Sequence, residues 1–259
     1  MPELPDLQVF SKNLDKQLSG KKLKEIEIFN DKKLKTPKAA VKKSIEGEKL
    51  KKIYREGKEL RFAFANGNIL GMHLMLNGDL YLFEKETDKK NKIVALLFED
   101  DQGLVLTDFQ GMANISLNPE EKDAPDALSA EVDFGFLKDH FSKTRKAVKT
   151  LLLDQHFIRG IGNAYADEIL WEAGVSPFSH ANKIPDDKLK LLAKKIHSVL
   201  KDAEHQILKK KPDTISGEVR DFLKIHNAHK KESPTGAAIE HDMLNSRKTY
   251  FTKEQELYQ

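Results

Sequence analysis

Between residues 22 and 117 the chain is cut every few residues by a turn signal, and the pieces left between the cuts are too short for ordinary helices. Lys24-Glu25-Ile26-Glu27-Ile28-Phe29, Leu60-Arg61-Phe62-Ala63-Phe64 and Asp79-Leu80-Tyr81-Leu82-Phe83 mix apolar and polar residues in largely alternating order, while Ile93-Val94-Ala95-Leu96-Leu97-Phe98 is continuously apolar. Alternation at period two places one face of a strand on a core, and a short continuous apolar run suits a strand buried on both faces. Asn66-Gly67-Asn68, Asn77-Gly78 and Asp101-Gln102-Gly103 separate the runs with residues that tolerate tight-turn backbone. Many strands at this spacing predict a sandwich or barrel. One amphipathic helix, Leu7 to Leu18, precedes them.

After Asn118-Pro119-Glu120-Glu121-Lys122-Asp123-Ala124-Pro125, the best linker candidate, the periodicity changes. Helical patterns run from Ala127 to Leu208: Val148 to Leu153 leads into a turn, Ala164 to Ala173 is closed by Gly174, and Asp186 to Lys209 makes one long helix. The stretch from Phe222 to Gln259 is polar and hairpin-like, too small for a core of its own. The expected class is α+β: an N-terminal β-sandwich domain with a flanking helix over 1–122, a helical domain over 123–222, and a hairpin over 223–259.

At 259 residues and 39% hydrophobic composition the chain supports a large core split between domains. Lys and Arg number 44 against 41 Asp and Glu, a formal charge of +3, which permits a nucleic-acid partner without demanding one. Lysine clusters at Lys32 to Lys38, Lys89 to Lys92, Lys143 to Lys149 and Lys209 to Lys211 each read, taken alone, more as solvated faces than as phosphate tracks. There is no cysteine, which excludes disulfides and thiolate zinc sites. No apolar run approaches the roughly 20 residues of a membrane helix, and no signal-peptide core follows Met1. The expectation is a cytoplasmic monomer, nucleoid-associated if bacterial, with no membrane partner.

Two segments carry chemistry. Pro2-Glu3-Leu4-Pro5-Asp6 follows Met1 directly, and removal of Met1 leaves Pro2 as a secondary amine. An α-amino group has a pKa of about 8, so part of it is unprotonated and nucleophilic near neutrality, with Glu3 beside it as an acid. An extended leader is the alternative reading. In Asp154-Gln155-His156-Phe157-Ile158-Arg159-Gly160-Ile161-Gly162-Asn163, two glycines allow close backbone approach before a helix start that favours an anion. Lys149 and Asn163 would add a charge and a donor. A tight helix–helix turn capped by Asn163 remains equally open.

These segments resemble the formamidopyrimidine-DNA glycosylase and endonuclease VIII family of base-excision repair enzymes. Pro2-Glu3-Leu4-Pro5 is similar to the family's catalytic opening. The run from Leu152 through Asn163, Tyr165-Ala166-Asp167-Glu168, Ala173-Gly174 and Pro177 is similar to its helix-two-turn-helix motif. Arg55-Glu56-Gly57-Lys58, His73-Leu74-Met75-Leu76-Asn77-Gly78 and Ser246-Arg247-Lys248-Thr249-Tyr250-Phe251 match three further segments in the family's order. The resemblance implies a bifunctional glycosylase and abasic-site lyase acting on oxidised bases in duplex DNA, with Pro2, Glu3, Lys58 and Arg247 catalytic and no cofactor. It implies DNA contacts at His73, Leu76, Lys92, Gln110, Met112, Lys149 and Asn163.

The chain also departs from the family. Gln110 and Met112 stand where the family carries an Arg and a Phe that fill the gap left by the departed base, and Gly111 stands for a second Arg. Leu76 and Met112 would otherwise read as core residues. The four cysteine ligands of the family's zinc finger align with Glu232, Thr235, Thr252 and Gln255, which cannot make a thiolate site. A zincless hairpin held by Ile239, Tyr250 and Phe251 is therefore expected. A DNA-structure or abasic-site binding protein without turnover, and a lyase confined to abasic sites, are the competing functions.

Overall fold

In the computed structural model, which covers residues 1–259, the chain divides into two compact units: 1–121 with 207–218, and 122–206 with 219–259. The hairpin segment thus groups with the helical unit, and the stretch after Ile207 groups with the β-rich one. Burial explains the first grouping. Most of the hairpin's outer residues are exposed and only a few, such as Thr249, Tyr250 and Thr252, are buried.

The first unit opens with α1 (Leu4–Leu18), three residues earlier than the apolar pattern alone suggests. Glu3 and Asp6 form a reciprocal capping box, the Glu3 backbone N–H donating to Asp6 Oδ2 at 2.9 Å, and Pro5 is tolerated in the first turn, where it removes no helical bond. The strands follow: β1 (Leu23–Ile28), then, after α2 (Lys38–Ile45), β2 (Leu50–Glu56), β3 (Glu59–Phe64), β4 (Ile69–His73), β5 (Asp79–Glu84), β6 (Lys92–Phe98), β7 (Gln102–Thr107) and β8 (Asn114–Leu117). They form two antiparallel four-stranded sheets, ordered β1-β6-β7-β5 and β2-β3-β4-β8. Helix α2 falls in a stretch read as strands; its Val41 and Ile45, four residues apart, are both fully buried on one face.

The core takes Ile26, Leu96, Phe98 and Leu104 from one sheet and Leu50, Phe62, Phe64 and Leu70 from the other, with Leu7, Phe10 and Leu14 of α1. Each such side chain contributes about 1.5–3 kcal/mol on leaving water. Between β4 and β5 the chain turns within Leu74–Gly78, where the Gly78 N–H donates to the Leu74 carbonyl at 2.8 Å. A Cβ on Gly78 would stand 2.3 Å from that carbonyl oxygen, a backbone atom that cannot swing aside.

The second unit contains α3 (Phe134–Phe141), α4 (Val148–Leu153), α5 (Asn163–Ala173), most of α6 (Asp186–Lys210), and the hairpin β9 (Glu240–Leu244) and β10 (Arg247–Phe251). Gly174, at φ +65°, ends α5 in the left-handed conformation that glycine adopts without strain. Gln155 stitches the α4–α5 connection, accepting from Gly160 N at 2.9 Å and donating to the Leu153 and Ile161 carbonyls at 3.0 Å.

Polar rather than apolar contacts hold the end of the hairpin segment. Glu254 Oε2 accepts from the Thr235 and Thr252 hydroxyls at 2.8 and 3.1 Å, Ser233 Oγ lies 2.6 Å from Thr235 Oγ1, and Gln255 Oε1 accepts from Thr252 N at 2.9 Å. Three of the four positions aligned with metal ligands are therefore tied together, two of them through one carboxylate. Tyr250 and Phe251 do pack, but against His226 and Phe178, at centroid distances of 4.8 and 5.2 Å.

Gly78→Ala is expected to lower stability by about 1–3 kcal/mol through backbone overlap, read as a reduced urea midpoint. The Thr235 hydroxyl foremost, with Thr252, Trp171 and Ser233, holds the Glu254 carboxyl below its ordinary 4.5. A depressed folded-state value means stability that is present above the unfolded value and lost as pH falls through the folded one. The stability difference between the wild type and Glu254→Gln should hold steady near neutrality and shrink below pH 4.5; a pH-independent difference contradicts the carboxylate hub.

Candidate active site

Pro2 is buried and lines a cavity of about 180 Å³ together with Leu76, Asn77, Gly78, Asp79, Phe109, Gly217 and Glu218. Four separate stretches build this wall. The first is the lead-in to α1, whose capping box fixes Glu3, 4% exposed, at the helix N-terminus, where the backbone dipole favours a carboxylate. The amine of Met1 pairs with the Glu218 carboxylate. The 216–218 stretch is anchored by Ser216 Oγ, which accepts from Leu80 N at 2.9 Å and donates to Asp79 Oδ1 at 2.8 Å.

The other two stretches are loops. In the first, His73 Nδ1 accepts from Met75 N at 3.1 Å, which puts the proton of the neutral ring on Nε2. Leu76 follows, 59% exposed. In the second, Asp108, 3% exposed, accepts backbone N–H bonds from Gln110, Met112 and Ala113 at 2.9, 2.8 and 2.7 Å. Gly111 takes φ +64° in that turn. Gln110 Oε1 accepts from Asn77 Nδ2 at 2.8 Å and so ties the two loops together. Met112 is 41% exposed, so neither Leu76 nor Met112 belongs to the core.

Lys58 sits with Gly57, φ +56°, in the two-residue turn joining β2 to β3, and Arg55 Nη1 donates to the Gly57 carbonyl at 3.0 Å. Lys92 is not brought to the Pro2 cavity. It lies two strands from Asp79 across the β5-β7-β6 sheet, its ammonium 3.2 Å from the Thr87 carbonyl and 4.7 Å from the Phe29 ring centroid.

In the second unit Lys149 differs from its expected place. It has no exposed surface: its ammonium lies 2.7 Å from Asp167 Oδ1 and donates to Thr249 Oγ1 at 2.7 Å. Asp167 Oδ2 meets His226 Nδ1 at 2.7 Å and accepts from Tyr250 N at 3.0 Å. Asn163 is the first residue of α5 rather than its cap, a place taken by Gly162, and its Nδ2 donates to the Lys248 carbonyl at 2.9 Å. Lys149 and Asn163 therefore both hold β10, Lys149 without exposed surface and Asn163 through one N–H of its amide. What they position is Arg247, exposed at the start of β10 beside the turn residues Asn245 and Ser246, both at positive φ. Asn245 Nδ2 donates to Thr150 Oγ1 at 2.9 Å, fixing the hairpin tip on α4.

Asp108, Phe109, Glu218 and His226 have no role in the reading by motif, and Asp167 and Thr249 stand inside family-like motifs without one. Only Asp108 has a local signal, an Asp two residues before amides it can bond in a turn.

Residues 1–115 match the formamidopyrimidine-DNA glycosylase N-terminal domain, and residues 124–211 match the formamidopyrimidine-DNA glycosylase H2TH domain. The formamidopyrimidine-DNA glycosylase of Mycoplasmopsis pulmonis is 31% identical over 97% of this chain and 96% of its own. That of Bacillus subtilis is 32% identical over 78% of each chain. Among solved structures, a complex of wild-type Lactococcus lactis Fpg with DNA containing an oxidised pyrimidine gives a TM-score of 0.87 at 25% identity, over 97% of this chain and 98% of that one.

Lys149→Ala leaves Asp167 buried without its cation and is expected to cost about 3–5 kcal/mol, with faster amide exchange in β10 than in the wild type. Unchanged exchange there would separate the lysine from the hairpin.

Proposed function

The chain belongs to the formamidopyrimidine-DNA glycosylase family, and from that premise we propose that it is a bifunctional DNA glycosylase and abasic-site lyase removing oxidised bases from duplex DNA. The observation that carries the reading is the buried Pro2 facing a cavity of about 180 Å³, with Glu3 fixed beside it by the capping box.

With Met1 removed, the Pro2 amine attacks the anomeric carbon of a nucleotide turned out of the duplex. The glycosidic bond breaks with its electron pair leaving on the base, which takes up the proton the amine gives up; Glu3 as general acid then protonates the ring oxygen, the C1′–O4′ bond opens, and the nitrogen lone pair closes the C=N bond of an iminium. The iminium that forms withdraws electrons from the neighbouring carbon, so loss of a proton there expels the 3′ phosphate. A second elimination expels the 5′ phosphate and leaves a one-nucleotide gap. Lys58 assists the first elimination; Arg247 grips phosphate and assists the second. Lys149 and Asn163 act through β10 by holding Arg247. His73, through Nε2–H, contacts a phosphate, while Leu76 and Met112 are apolar groups held outward to occupy space in the opened duplex. The partner is damaged double-stranded DNA. No helix of the chain is long and apolar enough to cross a membrane.

Borohydride reduction on a duplex with one abasic site tests the reading: the wild type is expected to give a covalent adduct whose reduced carbon–nitrogen bond maps by peptide mass spectrometry to the nitrogen of Pro2, and an adduct on any other residue overturns it. Glu3→Gln should slow base release by roughly 10²–10⁴-fold while still being trapped on a preformed abasic site. No wild-type adduct, together with tight binding, would identify a DNA-structure binder instead.

A further inference from the structure

Phe109 is 69% exposed, more than any other large hydrophobic residue among those left in solvent, and it stands at the Pro2 cavity with Leu76. Its exposure does not come from a loose loop. The three bonds to Asp108 fix the turn from inside, Lys33 Nζ donates to the Met112 carbonyl at 2.8 Å, and Asn30 Nδ2 donates to the Gly111 carbonyl at 3.2 Å. A phenyl ring on so constrained a backbone is held in water with its ordering cost already met, an arrangement that favours a partner with a flat apolar face. Gln110, the neighbouring polar residue, has its carbonyl engaged by Asn77. The cavity presents Phe109 and Leu76, surfaces without a hydrogen-bonding code, and Met112 is exposed on the same loop as Phe109.

We propose that Phe109 is a base-stacking residue: its ring takes the face of the nucleobase left unpaired when the damaged nucleotide leaves the helix, so the opposite base is recognised by stacking and not by its edge. The inference rests on the proposed glycosylase reading for the identity of its ligand, duplex DNA with one nucleotide everted. Stacking tolerates every base because each has a π-face, whereas edge recognition selects one. Binding should accordingly vary less than about tenfold among the four opposite bases.

The test uses the full chain and a duplex carrying a tetrahydrofuran abasic analogue opposite 2-aminopurine, whose fluorescence reports stacking. Wild type and Phe109→Tyr should quench it on binding; Phe109→Ala should bind about tenfold more weakly and leave the probe unquenched at saturation. Equal urea midpoints for the three proteins confirm that the exposed ring is not a folding element. Equal affinity and equal quenching by Phe109→Ala overturn the proposal, as does a strong preference of the wild type for one opposite base. Borohydride trapping by the wild type on an abasic duplex reports separately on Pro2, so loss of the quench and loss of the covalent adduct point to different failures.

Discussion

An ammonium and a carboxylate without solvent, Lys149 and Asp167, decide how the second unit is assembled. A lone charge in such a place would be costly, but here each group has further partners: Thr249 for the lysine, His226 and the Tyr250 amide for the aspartate. These contacts join α4, α5, β10 and the segment around His226 at one point. The hairpin has few apolar side chains of its own to bury, so its register on the helices comes from this polar knot and from Asn163 on the Lys248 carbonyl. A buried ion pair specifies position more than it adds stability. The residue whose position it specifies is Arg247.

The same device recurs in smaller form. Asp6 accepts the Glu3 amide, Asp108 accepts three amides of its own turn, and Glu168, 3% exposed, accepts those of Lys224, Ile225 and His226 at 2.8 Å each. At Glu168 burial outweighs these bonds and pushes the carboxyl above its ordinary value. At Glu254, near water, hydroxyl donors win and the shift is downward. Buried or bridging carboxylates thus set loop shape in both units, and the segments so shaped carry Pro2, Phe109 and Arg247.

Much of this was legible before any coordinates. Alternation and Asn-Gly turns mark the strands of the first unit, and the end of α5 at Gly174 follows from local chemistry, while its start falls one residue earlier than an Asn163 cap suggests, with Gly162 as the cap. The early start of α1 depends on Glu3 and Asp6 cooperating across a turn, which apolar periodicity does not register. Helix α2 was hidden among lysines because only Val41 and Ile45 touch the core. The motif at Lys149 marks an important position, but spacing cannot distinguish a cation aimed at phosphate from one aimed at Asp167, since the deciding partners lie at 167 and 249. Phe109 resists reading for a related reason: a phenylalanine in a sequence suggests burial, and only the bonds from Asp108 show why this one is turned outward.

The hairpin built on Glu254 has a chemical consequence. Hydroxyls and a carboxylate offer peroxide nothing to attack, whereas thiolates climb through sulfenic to irreversible acids and release whatever they hold. With no cysteine anywhere in the chain, the Glu254 hub has no thiolate to lose to the oxidants that create the proposed substrates, and oxidation of the hairpin falls instead on the thioether of Met243, exposed on β9.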